Sequence, residues 1–177
     1  NEIISWEKKL KEEGLQEGMD DEGLASLIKE EEEVIDKLRN LAEYQIIYSK
    51  INHIFRSGGF IRSEKEEQEV AEIANYHLIK GKNTAISTRA SSMCYYIKGL
   101  CAATNRNFSD SYLFFNKTRE ILDKNPIVKT DLSTRYVQTI THLLRCYIDG
   151  KQFDQAEQLI RELRSLSGTK GFNTINT

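Results

Sequence analysis

Apolar residues recur along this chain at three- and four-residue steps, the spacing that keeps one face of an α-helix buried, and no segment alternates as a half-buried strand does. Ile3, Trp6 and Leu10 predict a short first helix, ended by Gly14 and Gly18. Asp20 or Asp21 is placed to cap a long second helix. Its apolar stripe runs through Leu24, Leu27, Ile28, Val34, Ile35, Leu38, Leu41, Tyr48, Ile51 and Phe55 as far as Gly58-Gly59. Ser63 and Glu66 have capping-box spacing, so a third helix starts there and carries Val70, Ile73, Ala74, His77 and Leu78 up to Gly81. A fourth, over 84–104, aligns Ile86, Ala90, Met93, Ile97, Leu100 and Cys101. The fifth is capped by Ser109, turns Tyr112, Phe115 and Ile121-Leu122 inward, and stops at Asn125-Pro126, because proline disfavours helical geometry in the residue before it. Asp131 or Ser133 opens a sixth, with Tyr136, Val137, Ile140, Leu143, Leu144 and Tyr147 inward. A seventh carries Ala156, Leu159, Ile160, Leu163 and Leu166. The fold class is all-α.

Seven helices joined mostly by short turns must run antiparallel to their sequence neighbours. Internal similarity then suggests stacked hairpins. In Tyr95-x-x-Lys98-Gly99-x-x-Ala102, followed by Ser111 and Phe115, an aromatic, a glycine, a small residue and a second-helix aromatic fall in order. Ile140-x-x-Leu143-Leu144-x-x-Tyr147, followed by Ala156 and Ile160, supplies the leucine, tyrosine and alanine of the same pattern. Over about residues 84–166 this resembles a degenerate tetratricopeptide repeat, although Ser111 and Ala156 lie 45 residues apart where that repeat has about 34. The stretch Ser5-Trp6-Glu7-Lys8-Lys9-Leu10 and the later acidic helix also resemble the helical-repeat regions of long uncharacterised bacterial proteins. The resemblance implies a short right-handed TPR-like α-solenoid. It would be one helical-repeat domain over 1–166, with N-terminal helices and a cap over 1–56, a linking hairpin helix over 57–83 and TPR-like units over 84–126 and 127–166. A polar tail or linker, 167–177, would follow. The start at Asn1 and that tail lead to the expectation that the chain is part of something longer.

Charge changes the picture modestly. The net charge is −2, yet residues 1–40 hold 13 acidic and 6 basic side chains (net −7) and residues 41–177 hold 14 acidic and 19 basic (net +5). Glu30 to Glu33 read as the solvated face of the long helix. With a pI near 6 and the two signs interspersed, direct contact with nucleic acid is not expected. Cys94, Cys101 and Cys146 form no Cys-x-x-Cys pair and read as small apolar residues of a reducing, cytoplasmic compartment. No apolar run is long enough to cross a membrane.

No residue pattern points to catalysis, a cofactor or a metal. His53, His77 and His142 stand apart, and Arg56-Ser57-Gly58-Gly59-Phe60 lacks the Gly-Lys-Ser/Thr ending of a phosphate loop. The expected function is non-catalytic protein binding, with a peptide or helix lying on the concave face of the solenoid. Carried over from the repeat pattern, the lining is Met93, Tyr96, Leu100, Ala103 and Thr104 in one unit and Gln138, Thr141, Arg145 and Asp149 in the next. Met93, Tyr96, Leu100, Gln138, Thr141 and Arg145 are the candidate binding residues, with Tyr96 and Arg145 as hot spots. Two further expectations are homodimerisation through the C-terminal helix face and service as the sensor or assembly arm of a larger bacterial regulator.

Overall fold

The computed structural model describes residues 21–166 together with Trp6, Lys9 and Phe172. The expected helix through Ile3, Trp6 and Leu10 lies largely outside them. Among the described residues all regular structure is helical: α1 (Asp21–Gly58), α2 (Glu64–Asn75), α3 (Thr88–Thr104), α4 (Phe108–Asp123), α5 (Pro126–Asp131), α6 (Ser133–Asp149) and α7 (Phe153–Leu166). No helix there is long and apolar enough to cross a membrane.

The chain divides into two compact units, Asn1–Ala42 and Glu43–Thr177, with the boundary inside α1. In the first unit, residues 21–42 of α1 bury Leu27 and leave Ile28, Ile35 and Leu38 exposed, with ion pairs from Lys37 to Glu33 (3.8 Å) and Arg39 to Asp36 (3.2 Å).

The second unit is built from hairpins. Turns of three residues join α3 to α4 and α6 to α7, and α4 packs on α6. Helices α3 and α4 approach closely where Gly99 faces Phe115: a Cβ on Gly99 would stand 2.7 Å from the Phe115 ring. Ser111 and Ala156, the other small residues of the sequence pattern, are buried as well. From α1, residues 43–58 lie over α3 and α6 and reach them with large side chains. Tyr48 meets Tyr96 at 5.9 Å between ring centroids, and Phe55 meets His142 at 5.3 Å.

Several element ends differ from expectation, each for a local reason. Helix α2 stops at Asn75, not near Gly81, because Tyr76 adopts extended backbone (φ −61°, ψ 139°), and Leu78 and Ile79 are buried in the turn that follows. The irregular segment is pinned from outside: the Tyr44 hydroxyl donates to the Leu78 carbonyl at 3.1 Å and the Lys98 ammonium to the Gly81 carbonyl at 2.7 Å. Helix α3 begins after Ser87, whose side chain accepts from the Ala90 N–H. Upstream, the Asn83 carboxamide takes the Ala85 N–H in a turn of its own, so Ile86 lies outside the helix and is exposed. Asn107, not Ser109, caps α4 by accepting from the Asp110 N–H, after Arg106 has turned the chain with φ 59°. Pro126 opens the short helix α5 at its first position, where the missing N–H costs nothing, between the expected fifth and sixth helices. Asp131 then pairs with Arg89 and does not cap α6. In the segment read as a polar tail, Phe172 is buried edge-on against Tyr136 at 6.1 Å, so this residue packs on the fold.

The Gly99–Phe115 contact gives a test. Gly99→Ala should cost about 1–3 kcal/mol through overpacking. In a Phe115→Ala background the same change should be neutral, or stabilising by up to about 1 kcal/mol from helix propensity. Urea denaturation of the four proteins measures the cycle, and additive effects would show that the two residues do not set the spacing.

Candidate functional site

The side chains expected to form an open binding face on α3 and α6 are mostly core. Tyr96 is 2% exposed, and Met93 and Leu100 are equally buried. They are corrected from binding residues to packing residues, because residues 43–58 of α1 cover the face they were to line. Gln138 is half-buried with its Oε1 3.4 Å from the Tyr96 hydroxyl, and Thr141 is exposed but donates to its own helix at the Val137 carbonyl. Arg145 alone stays an exposed cation, its guanidinium 5.3 Å from the Phe60 ring centroid.

Beneath α1 lies a polar cluster in an aromatic setting. His142 stacks on Phe115 (4.5 Å, 11° between planes), and its Nε2 is 3.2 Å from the Tyr96 hydroxyl. With the proton on Nε2, imidazole donates to the Tyr96 oxygen and Tyr96 donates to Gln138, which satisfies the chain. Burial, helped by the Arg145 charge, pushes the His142 pKa from 6.5 down to about 4, and burial likewise raises that of Tyr96. Arg135 sits between two rings, 4.9 Å from Tyr48 and 5.4 Å from Tyr96, with Nε and Nη1 buried and without a hydrogen-bond partner among the described residues. Burial holds its pKa below the usual guanidinium range. Cys94 and Cys101 are buried thiols raised by desolvation, Cys101 to about 12. Among the described residues no group of three or more His, Cys, Asp or Glu side chains gathers as for a metal.

Among the described residues two recesses are bordered by exposed aromatic or aliphatic side chains. One is at the turns, where Phe60 lies between Arg106 (4.6 Å) and Arg145. Beyond it, Phe108, Tyr112 and Tyr147 border a shallow depression of about 400 Å³. The larger is a groove of about 700 Å³ between α1 and α2, with Ile46, Ile47, Ile54, Ile73 and Tyr76 as its apolar part and Glu43, Lys50, His53, Glu69 and Glu72 among its polar residues. Ile46 is 61% and Tyr76 41% exposed. Reading the long helix as having a single buried stripe missed this groove. On the helical wheel Tyr44, Tyr48, Ile51 and Phe55 share one face, and Ile47, Lys50 and Ile54 the next, so the density of apolar residues over 44–55 was the available signal. No protein-family model matches the chain, and neither a curated protein nor a solved structure matches it.

Two stability experiments follow. Because folding depresses the His142 pKa, the neutral ring's contribution is complete above pH 6.5 and is lost as pH falls through about 4. This amounts to roughly 3 kcal/mol. Unfolding free energies at pH 7 and pH 4 should therefore converge by about that amount in His142→Phe; an unchanged difference would place the pH dependence elsewhere. For Arg135→Met, which removes a buried cation with no carboxylate partner among the described residues, stability should be unchanged or higher by up to about 2 kcal/mol. A loss greater than that would mean that the two tyrosine faces more than offset the desolvation of the guanidinium.

Proposed function

We propose that this chain is a non-catalytic protein-interaction module, a TPR-like stack of helix hairpins whose partner is a helix or peptide held between α1 and α2. The observation that carries this reading is the groove itself. Isolated exposed apolar residues are ordinary on a protein surface, but here Ile46 and Tyr76 stand over a recess that already contains Ile47, Ile54 and Ile73. The arrangement is that of a helix-in-groove site, with an apolar base and charged edges. The hairpin reading draws support from Gly99 at the close approach of α3 and α4 and from the burial of Ser111 and Ala156, small residues of the repeat pattern. Relative to the repeat pattern, the binding surface moves from the α3–α6 face to the α1–α2 side, because the former is occupied by the chain's own residues.

Selection from a displayed library of helical peptides tests this, using the wild-type chain against an Ile46→Glu, Tyr76→Glu variant. Both positions are exposed enough for the variant to fold. Expected are peptides that bind the wild type and lose at least tenfold, about 1.4 kcal/mol, on the variant. An Arg145→Ala control should leave them unaffected. A library yielding only peptides indifferent to the double change would overturn the assignment.

A further inference from the structure

The walls of the groove differ in charge, and this names the chemistry of the occupant. Helix α2 carries Glu64, Glu66, Glu67, Glu69 and Glu72 against the single cation Lys65. Glu66 is engaged by Arg62 at 2.8 Å, and Glu69 lies 3.8 Å from Lys65. Glu72 on the α2 wall and Glu43 on the α1 wall have no ion-pair partner among the described residues, and both border the apolar base. The α1 wall also holds Lys50 and His53, nearer the hairpin turn.

The hairpin runs antiparallel, since the Tyr44 hydroxyl near one end of the groove reaches the Leu78 carbonyl just beyond α2. Glu43 and Tyr76 therefore mark the open end, and Lys50, His53 and Glu69 lie toward the turn. Residues 43–54 of α1 span about 16 Å at 1.5 Å per residue, the length of three helical turns.

Resting on the reading of the groove as a docking site, we propose that its occupant is a basic amphipathic helix of about three turns from a partner protein. Its apolar stripe lies on Ile46, Ile54, Ile73 and Tyr76. Lysine or arginine side chains along one edge meet Glu72 and Glu69, and another at its end meets Glu43. An acidic or neutral residue belongs beside Lys50, which fixes the direction in which the helix lies. Opposite charges on the rim select and orient the partner, while apolar burial supplies most of the affinity. Glu72 is exposed and Glu43 half-buried, so their attraction for the partner is weakened by salt, most strongly at Glu72.

The experiment uses the groove-dependent peptides from the library described above, measured by fluorescence anisotropy on the full chain and on a Glu43→Lys, Glu72→Lys variant. The expected peptides carry net positive charge. They should bind the variant at least tenfold more weakly at 50 mM salt and with a difference of threefold or less at 500 mM. Peptides with the edge lysines exchanged for glutamate should reverse the preference. Groove-dependent peptides that are neutral or acidic, or that ignore the charge reversal, would overturn the basic-helix assignment while leaving the docking site in place. Absence of any groove-dependent peptide would overturn both. Circular dichroism and urea midpoints matching the wild type establish that the variant is folded, and a Glu43→Gln, Glu72→Gln variant with an intermediate loss provides the same test without introduced charge.

Discussion

Phe115 pressed against Gly99 is the contact on which the arrangement of the larger unit depends. With no side chain on Gly99, α3 and α4 approach closely and the Phe115 ring fills the space between them. One face of that ring is then available to His142 of α6, which stacks on it nearly parallel, while Tyr96 meets it at 5.5 Å. His142 in turn receives the edge of Phe55 from α1. A single small-to-large pairing thus sets the positions of four helices, because interiors pack at crystal-like density and a shift at one ring must be absorbed by the next.

Polar groups inside this unit are treated in two ways. Where a backbone segment is irregular, buried side chains supply the missing partners, as Tyr44 and Lys98 do for the carbonyls of Leu78 and Gly81. Tyr136 is likewise tied to carboxylates, its hydroxyl 2.9 Å from Asp123 and 2.6 Å from Glu162, while Arg119 bridges both acids and Lys129 pairs with Asp123. Arg135 is different, with ring faces and no anionic partner among the described residues. Ring faces stabilise a guanidinium without restoring the hydrogen bonds it had in water. The Tyr136 network joins α4, α6 and α7 through complementary charges, whereas Arg135 joins α6 to α1 and α3 through shape and polarisation.

Helix existence was legible in the sequence because three- and four-residue periodicity reports burial of one face directly. Leu27, Ile51, Val70, Ile97, Phe115, Ile140 and Leu159 are all buried where that periodicity put them. Helix ends were less legible, since Ser87, Asn107 and Pro126 are local competitors whose outcome depends on tertiary contacts such as Asn83 with Ser91 at 2.6 Å. The binding face was the least legible. A repeat pattern assigns the inner positions of α3 and α6 by analogy with arrays in which that face is free, and it carries no term for a neighbouring helix long enough to lie across both. Tyr96 has the chemistry of a hot spot, a rigid amphipathic ring, and the same chemistry suits it to burial beside Tyr48 and His142.

The two faces of α1 explain why one side of the molecule is closed and the other open. Tyr44, Tyr48, Ile51 and Phe55 are large enough to fill the distance to α3 and α6, so that side closes with the helix axis still standing off from its neighbours. On the adjoining face Ile46, Ile47 and Ile54 are aliphatic and shorter, and they are answered by Ile73 in α2 and by Tyr76 just past its end at Asn75. Past Asn75 the extended backbone of Tyr76 takes the chain off the helix axis, and the turn that follows buries Leu78 and Ile79 with the Leu78 carbonyl on the Tyr44 hydroxyl. The early end of α2 thus serves core burial at Leu78 and Ile79 and at the same time limits the wall facing α1. The open groove follows from the early end of α2 together with the short aliphatic side chains on this face of α1.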